Sequence, residues 1–184
     1  GNEAVALGAI AGGLMFYSAY PMTPSSTILH YLAKNAYKAG IVVKHAEDEI
    51  SVINMAIGAS FAGARAMVGT SGGGFCYMTE ALGLAGITEL PLVVFLGMRP
   101  GPALGLPTWS DQGDLQFALH AGNGEFPRFL LSPSDAKEAF ELTRRAQVLA
   151  ETFQTPVIIL SDKYLAESRY NIALESETFT NIRF

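Results

Sequence analysis

The sequence predicts an α/β domain: a doubly wound, mainly parallel sheet with helices on both faces. Two observations carry this. Strand-like and helix-like segments alternate from the start of the 184-residue chain to about residue 160, as they do in a parallel sheet with crossover helices. The strand-like segments are near-continuous apolar runs, such as Leu92-Val93-Val94-Phe95-Leu96. Such runs suit strands covered on both faces.

The elements follow in order. Residues 3–14 read as a helix of small residues and 16–20 as a short strand. Pro24 and Ser25 are start signals for a helix over 25–37. A strand at 41–45 leads to a helix at 48–62, and a strand at 66–70 to a helix at 75–88. Residues 91–98 form the most apolar strand, followed by a Gly/Pro loop over 99–110. A helix over 111–120, a strand at 128–131, a long helix over 134–153 and a strand at 156–160 complete the pattern. It fades after Ser168, so residues 1–170 are predicted as one domain and 171–184 as a tail or the start of a further segment.

Composition narrows the function. Charged residues make up 16% of the chain, against roughly 25% in an average soluble domain, which argues against disorder. The net charge of −5 argues against a nucleic-acid surface, which needs a basic stripe. No apolar run reaches the roughly 20 residues of a membrane span, and the basic start of a signal peptide is missing. One cysteine excludes an internal disulfide framework and a cysteine-built metal or iron–sulfur site. It is expected to be buried, and the protein to be cytoplasmic. Residues 4–33 carry no Asp, Glu, Lys or Arg, and residues 50–110 carry only Arg65, Glu80, Glu89 and Arg99. A large core is one explanation. Cover by a partner chain or a symmetry mate, especially over 4–14 and 75–86, is the other, because a lone domain keeps more charge outside.

Ligands of open parallel sheets bind beyond the carboxyl ends of the strands, and the distinctive polar residues all follow predicted strands. Thr23-Pro24-Ser25-Ser26 is either a helix cap or a hydroxyl and amide site for a carboxylate or carbonyl oxygen. In Glu47-Asp48-Glu49, the first two acids suit the helix dipole. Glu49 shares a face with Val52, Ile53, Ala56 and Ile57, so its carboxylate needs a partner such as a ring nitrogen. Ser71-Gly72-Gly73-Gly74 lacks the spacing of a phosphate loop. It reads better as a turn that brings backbone close to a neighbouring chain or a flat ring. Arg99 makes either a structural ion pair or a bidentate grip on a carboxylate. His30, His45 and His120 show no metal spacing, and no metal site is predicted.

Taken together, the chain resembles the alpha subunit of 2-oxoacid:ferredoxin oxidoreductases, in the domain that binds the pyrimidine end of thiamine diphosphate. The matching stretches are Tyr20-Pro-Met-Thr-Pro-Ser-Ser26, Glu47-Asp-Glu-Ile-Ser-Val-Ile-Asn-Met-Ala-Ile-Gly-Ala-Ser60, Thr70-Ser-Gly-Gly-Gly-Phe75 and Glu80-Ala-Leu-Gly-Leu-Ala-Gly86. Further on are Arg99-Pro-Gly-Pro102, Gln112-Gly-Asp-Leu115, Gly124-Glu-Phe-Pro-Arg128 and Pro156-Val-Ile-Ile-Leu-Ser-Asp162. Met22 stands where the family often has Ile, and Gly73 where Pro is common.

The resemblance implies roles. Glu49 matches the glutamate that bonds N1′ of the aminopyrimidine, Thr23 the threonine near the substrate carbonyl, and Arg99 the arginine that grips the substrate carboxylate. Ser71, Gly72, Gly73, Gly74 and Phe75 would pack beside the pyrimidine. The implied reaction is oxidative decarboxylation of a 2-oxoacid, with coenzyme A taking the acyl group and ferredoxin the electrons. The family's diphosphate–Mg2+ motif, Gly-Asp-Gly followed by Asn, does not occur in these 184 residues. The resemblance therefore implies a beta subunit or domain that carries the diphosphate, Mg2+ and 4Fe-4S clusters, within a homo- or hetero-oligomer. A non-catalytic assembly module of the same fold and a half-site of another thiamine diphosphate enzyme are the alternatives.

Overall fold

A computed structural model describes residues 1–171. The predicted tail, from residue 172 on, lies outside the described residues. Six strands form one sheet: β1 (Phe16–Ala19), β2 (Val42–His45), β3 (Ala66–Ser71), β4 (Leu92–Met98), β5 (Phe129–Leu131) and β6 (Pro156–Asp162). Their order is β2-β1-β3-β4-β6-β5, and every neighbouring pair is parallel. The helices are α1 (Asn2–Ala11), α2 (Ser26–Ala39), α3 (Glu49–Phe61), α4 (Gly72–Ile87), α5 (Leu115–His120), α6 (Ala136–Phe153) and α7 (Lys163–Glu167).

Successive side chains of a strand point to opposite faces, and this splits the core in two. Val93, Phe95, Val157 and Ile159 join α1, α2 and α6 in one cluster. Leu92, Val94, Leu96, Ile158 and Leu160 join α3, α4 and α5 in the other. The predicted doubly wound architecture is the observed one. β1 is flanked by β2 and β3, and their connections run over opposite faces, through α2 and α3. This is the switch point at which an open α/β sheet leaves a crevice beyond its carboxyl edge.

Several boundaries differ from expectation, each for a local reason. α1 stops at Ala11 rather than residue 14, because Gly12 caps it and Gly13 turns at φ +84°. α4 begins at Gly72 rather than residue 75, so the glycine triplet is a helical turn and not a loop. The helix expected over 111–120 is confined to α5. α7 was not expected; the Asp162 carboxylate caps it, accepting from the Leu165 amide at 2.7 Å.

The uncharged α1 is covered from within. Its Ala6 and Ala9 are fully buried, and it lies so close to α6 that a Cβ on Gly8 would overlap the carbonyl oxygen of Phe140. Burial against α6 accounts for part of its uncharged composition, while Leu7, Ile10 and Ala11 stay partly exposed. Backbone cannot yield as a side-chain tip can. Gly8→Ala is therefore expected to lower stability by about 1–3 kcal/mol, read as a fall in denaturant midpoint. An unchanged midpoint would count against this close approach.

Candidate functional site

The carboxyl edge of the sheet gathers the polar residues that the sequence singled out. The Asp48 side chain caps α3, accepting from the Ser51 amide at 2.7 Å. Hydrogen bonds from the Ser51 amide and then its hydroxyl hold the Asp48 carboxyl below its ordinary value. The cap fixes Glu49 as the first residue of α3, and Ser18 of β1 ties the same helix to the sheet by donating to the Val52 carbonyl at 2.8 Å. Glu49 is 5% exposed. Its Oε1 is shielded from water and has no hydrogen-bond partner.

That carboxyl rests on the first turn of α4. A Cβ on Gly74 would stand 2.6 Å from Glu49 Oε1 and would overlap Thr70 Oγ1. Glycine is needed here because two side chains occupy the space a Cβ would take. Thr70 is wholly buried and was not among the expected site residues. The Ser71 hydroxyl, just before α4, is also buried without a partner. Gly72 and Gly73 are hemmed in as well. A Cβ on Gly72 would lie 2.5 Å from Asp114 Oδ2, and one on Gly73 would lie 2.9 Å from the Ala103 carbonyl. The loop after β4 therefore lies over the start of α4. Phe75 points the other way, into the core, where its ring meets Phe117 edge-on with centroids 5.1 Å apart.

Thr23 and Arg99 meet at the same edge. Arg99 is 7% exposed, and its guanidinium bridges two loops. Its Nη1 donates to the Thr23 carbonyl at 2.7 Å, and its Nη2 to the Leu104 carbonyl at 2.6 Å. Burial pushes the guanidinium pKa below its ordinary value. Arg99 makes no ion pair among the described residues. Nε has no partner, and each Nη keeps one uncommitted hydrogen. The neighbouring Ser25 stands at the N-cap position of α2 but makes no capping bond; its hydroxyl donates to the Met22 carbonyl at 2.7 Å. Among the described residues, no hydrogen bond engages the hydroxyl of the half-buried Thr23.

Cys76, expected to be buried, is exposed, because one position along α4 from Phe75 the helix has turned away from the core. The three histidines are exposed, and no cluster among the described residues has metal-ligating make-up. No described helix is long and apolar enough to cross a membrane. Asp114 had no assigned role. Its Oδ2 is buried without a partner, and burial, then the charge of Asp111, raises its pKa. The only sequence trace of it was its place in Gln112-Gly-Asp-Leu115.

With this geometry in hand, the likenesses to known proteins are specific. Residues 7–183 match the model of a family described as pyruvate flavodoxin/ferredoxin oxidoreductase, thiamine diphosphate-binding. The 2-oxoglutarate synthase subunit KorA of Archaeoglobus fulgidus is 47% identical over 174 residues, 95% of this chain and 50% of that protein. The 2-oxoacid:ferredoxin oxidoreductase subunit alpha of Saccharolobus solfataricus is 46% identical over 195 residues, 100% of this chain and 31% of that protein. The chain thus spans half or less of these relatives. Among solved structures, 2-oxoglutarate:ferredoxin oxidoreductase from Magnetococcus marinus, with 2-oxoglutarate, coenzyme A and succinyl-CoA bound, superposes with a TM-score of 0.88. It is 47% identical, over 90% of this chain and 29% of that one.

Proposed function

The chain belongs to the pyruvate flavodoxin/ferredoxin oxidoreductase family, as its thiamine diphosphate-binding domain, and from this we propose that it forms half of an active site for CoA-dependent oxidative decarboxylation of a 2-oxoacid. The observation that carries the proposal is the buried, unpartnered Glu49 Oε1 held against Gly74. A carboxyl oxygen kept from water without a partner is costly, and a ring nitrogen supplies the missing hydrogen bond. The residues therefore fit thiamine diphosphate. Glu49 would hold and share a proton at Oε1. The Ser71 hydroxyl and the backbone of Gly72 to Gly74 would line the ring, the glycines letting Glu49, Thr70 and Asp114 crowd the first turn of α4, and Phe75 would support that turn from beneath.

When bound, the cofactor supplies the nucleophilic carbon and the electron sink for decarboxylation. This chain's residues orient the substrate. The uncommitted hydrogens of Arg99 would take the substrate carboxylate, and the free hydroxyl of Thr23 would donate to its carbonyl oxygen. Ferredoxin would accept the electrons. The diphosphate, Mg2+ and 4Fe-4S clusters would sit on a partner subunit or domain. The outer faces of α3 and α4 leave Ile50, Phe61, Tyr77 and Ile87 exposed, and that partner would cover them. The names of the relatives make 2-oxoglutarate the first substrate to try.

Two experiments bear on this reading. Native purification of the tagged chain is expected to bring down a brown partner with a Gly-Asp-Gly…Asn motif, together with thiamine diphosphate; a colourless preparation without that cofactor would sink it. Arg99→Lys gives up a fork for a point charge and is expected to raise the KM for the 2-oxoacid by about tenfold or more. A KM within twofold of wild type would contradict the assigned grip.

A further inference from the structure

Thr23 and Pro24 present two consecutive backbone carbonyls, and both are gripped from outside the loop. Arg99 of the β4 end donates to the Thr23 carbonyl at 2.7 Å. From the opposite side Asn2, on the first turn of α1, donates from Nδ2 to the Pro24 carbonyl at 2.6 Å and to Thr27 Oγ1 at 2.6 Å. Asn2 is 2% exposed, so its bond to the buried Pro24 carbonyl is shielded from water, while Thr27 lies at the surface. Its amide is turned to serve both acceptors even though this leaves Oδ1 buried with no partner. α1 itself is fixed, packed against α6 at Gly8 without room for a Cβ. The loop is close-fitted on its far side as well, where a Cβ on Gly97 would lie 2.9 Å from the Pro24 ring.

We propose that Asn2 is a positioning residue: by holding the Pro24 carbonyl against the rigid α1, it sets where the Thr23 hydroxyl stands for the 2-oxoacid. The assignment rests on the reading above that Thr23 meets substrate, and it gives the buried amide a function which packing alone does not require. Asn2 touches neither substrate nor cofactor in this account. Its effect passes through one peptide unit to Thr23. An error of about 1 Å in a positioning group can cost a hundredfold in rate, so the consequence of releasing the clamp is measurable.

The test is a double-mutant cycle in the assembled enzyme. Asn2→Asp keeps the side-chain shape but replaces both donors with an oxygen that repels the Pro24 carbonyl. It is expected to raise the KM for the 2-oxoacid by about tenfold, to leave the KM for coenzyme A within twofold, and to speed amide hydrogen exchange over residues 22–28. In a Thr23→Ala background the same change is expected to alter the 2-oxoacid KM less than twofold, because the group it positions is gone. Thr27→Val, which spares the Pro24 bond, is expected to have little effect on KM. If Asn2→Asp does not assemble, Asn2→Ser carries the same cycle. An equal loss in both backgrounds would overturn the assignment and leave Asn2 a fold residue. A Thr23→Ala variant with wild-type KM would instead overturn the reading of the site, and this assignment with it.

Discussion

Glu49→Gln is expected to lower turnover of the assembled enzyme by roughly 10²- to 10⁴-fold without disturbing assembly. The amide has the volume of the carboxyl, so the packing against Gly74 survives. What is lost is the ability to hold and pass a proton at Oε1, the atom that is buried without a partner. The cap on α3 is provided by Asp48, and the tether to β1 by Ser18, so neither depends on the Glu49 charge. Replacing the buried carboxyl with an amide of the same volume is also expected to leave thermal stability close to wild type, since an unpartnered buried polar group is costly in either form. The informative signature is therefore loss of rate with retention of stability. Turnover close to wild type would remove Glu49 from the chemistry.

The second large effect is expected from Gly74→Ala. A methyl group here would overlap Thr70 Oγ1 and press on Glu49 Oε1 at 2.6 Å. One of the two side chains has to move. If Glu49 moves, a shift of about 1 Å is enough for roughly a hundredfold loss of rate. Helix propensity acts in the opposite direction, because alanine is favoured over glycine by about 1 kcal/mol inside a helix. The helix should thus tolerate the change better than the site does. Steady-state rates measured beside thermal denaturation separate the two effects. Activity retained with an unmoved Glu49 would mean that the contact is not part of the site.

The fold was largely legible because its signals are local and repeated. Apolar runs such as Leu92–Met98 announce strands buried on both faces, and all seven residues of β4 are buried. Glu49 was legible because a carboxylate among Val52, Ile53, Ala56 and Ile57 conflicts with its surroundings. Start signals were harder. Gly72-Gly73-Gly74 has poor helix propensity, and its helical state follows from tertiary packing against Glu49, Ala103 and Asp114. The sequence of α1 did not separate a core helix from a partner-facing one, because small uncharged residues look the same on an interface and beneath a neighbouring helix. Thr70, Asp114 and Asn2 carried little warning. Thr70 matters by its burial, and Asp114 and Asn2 by orphaned atoms and contacts across 22 or more residues, which no local pattern encodes. Arg99 was expected to choose between an ion pair and a substrate. Among the described residues it makes no ion pair, holds two backbone carbonyls and keeps hydrogens free.

All of these assignments depend on one claim, that the chain completes a thiamine diphosphate site for oxidising 2-oxoacids. The most direct measurement is the visible spectrum of the native assembly, mixed anaerobically with a 2-oxoacid and coenzyme A. Iron–sulfur absorbance is expected to bleach only when both are present, first with 2-oxoglutarate, and to recover when oxidised ferredoxin is added. An assembly that stays unbleached with 2-oxoglutarate, pyruvate, branched-chain and aryl 2-oxoacids alike would contradict it.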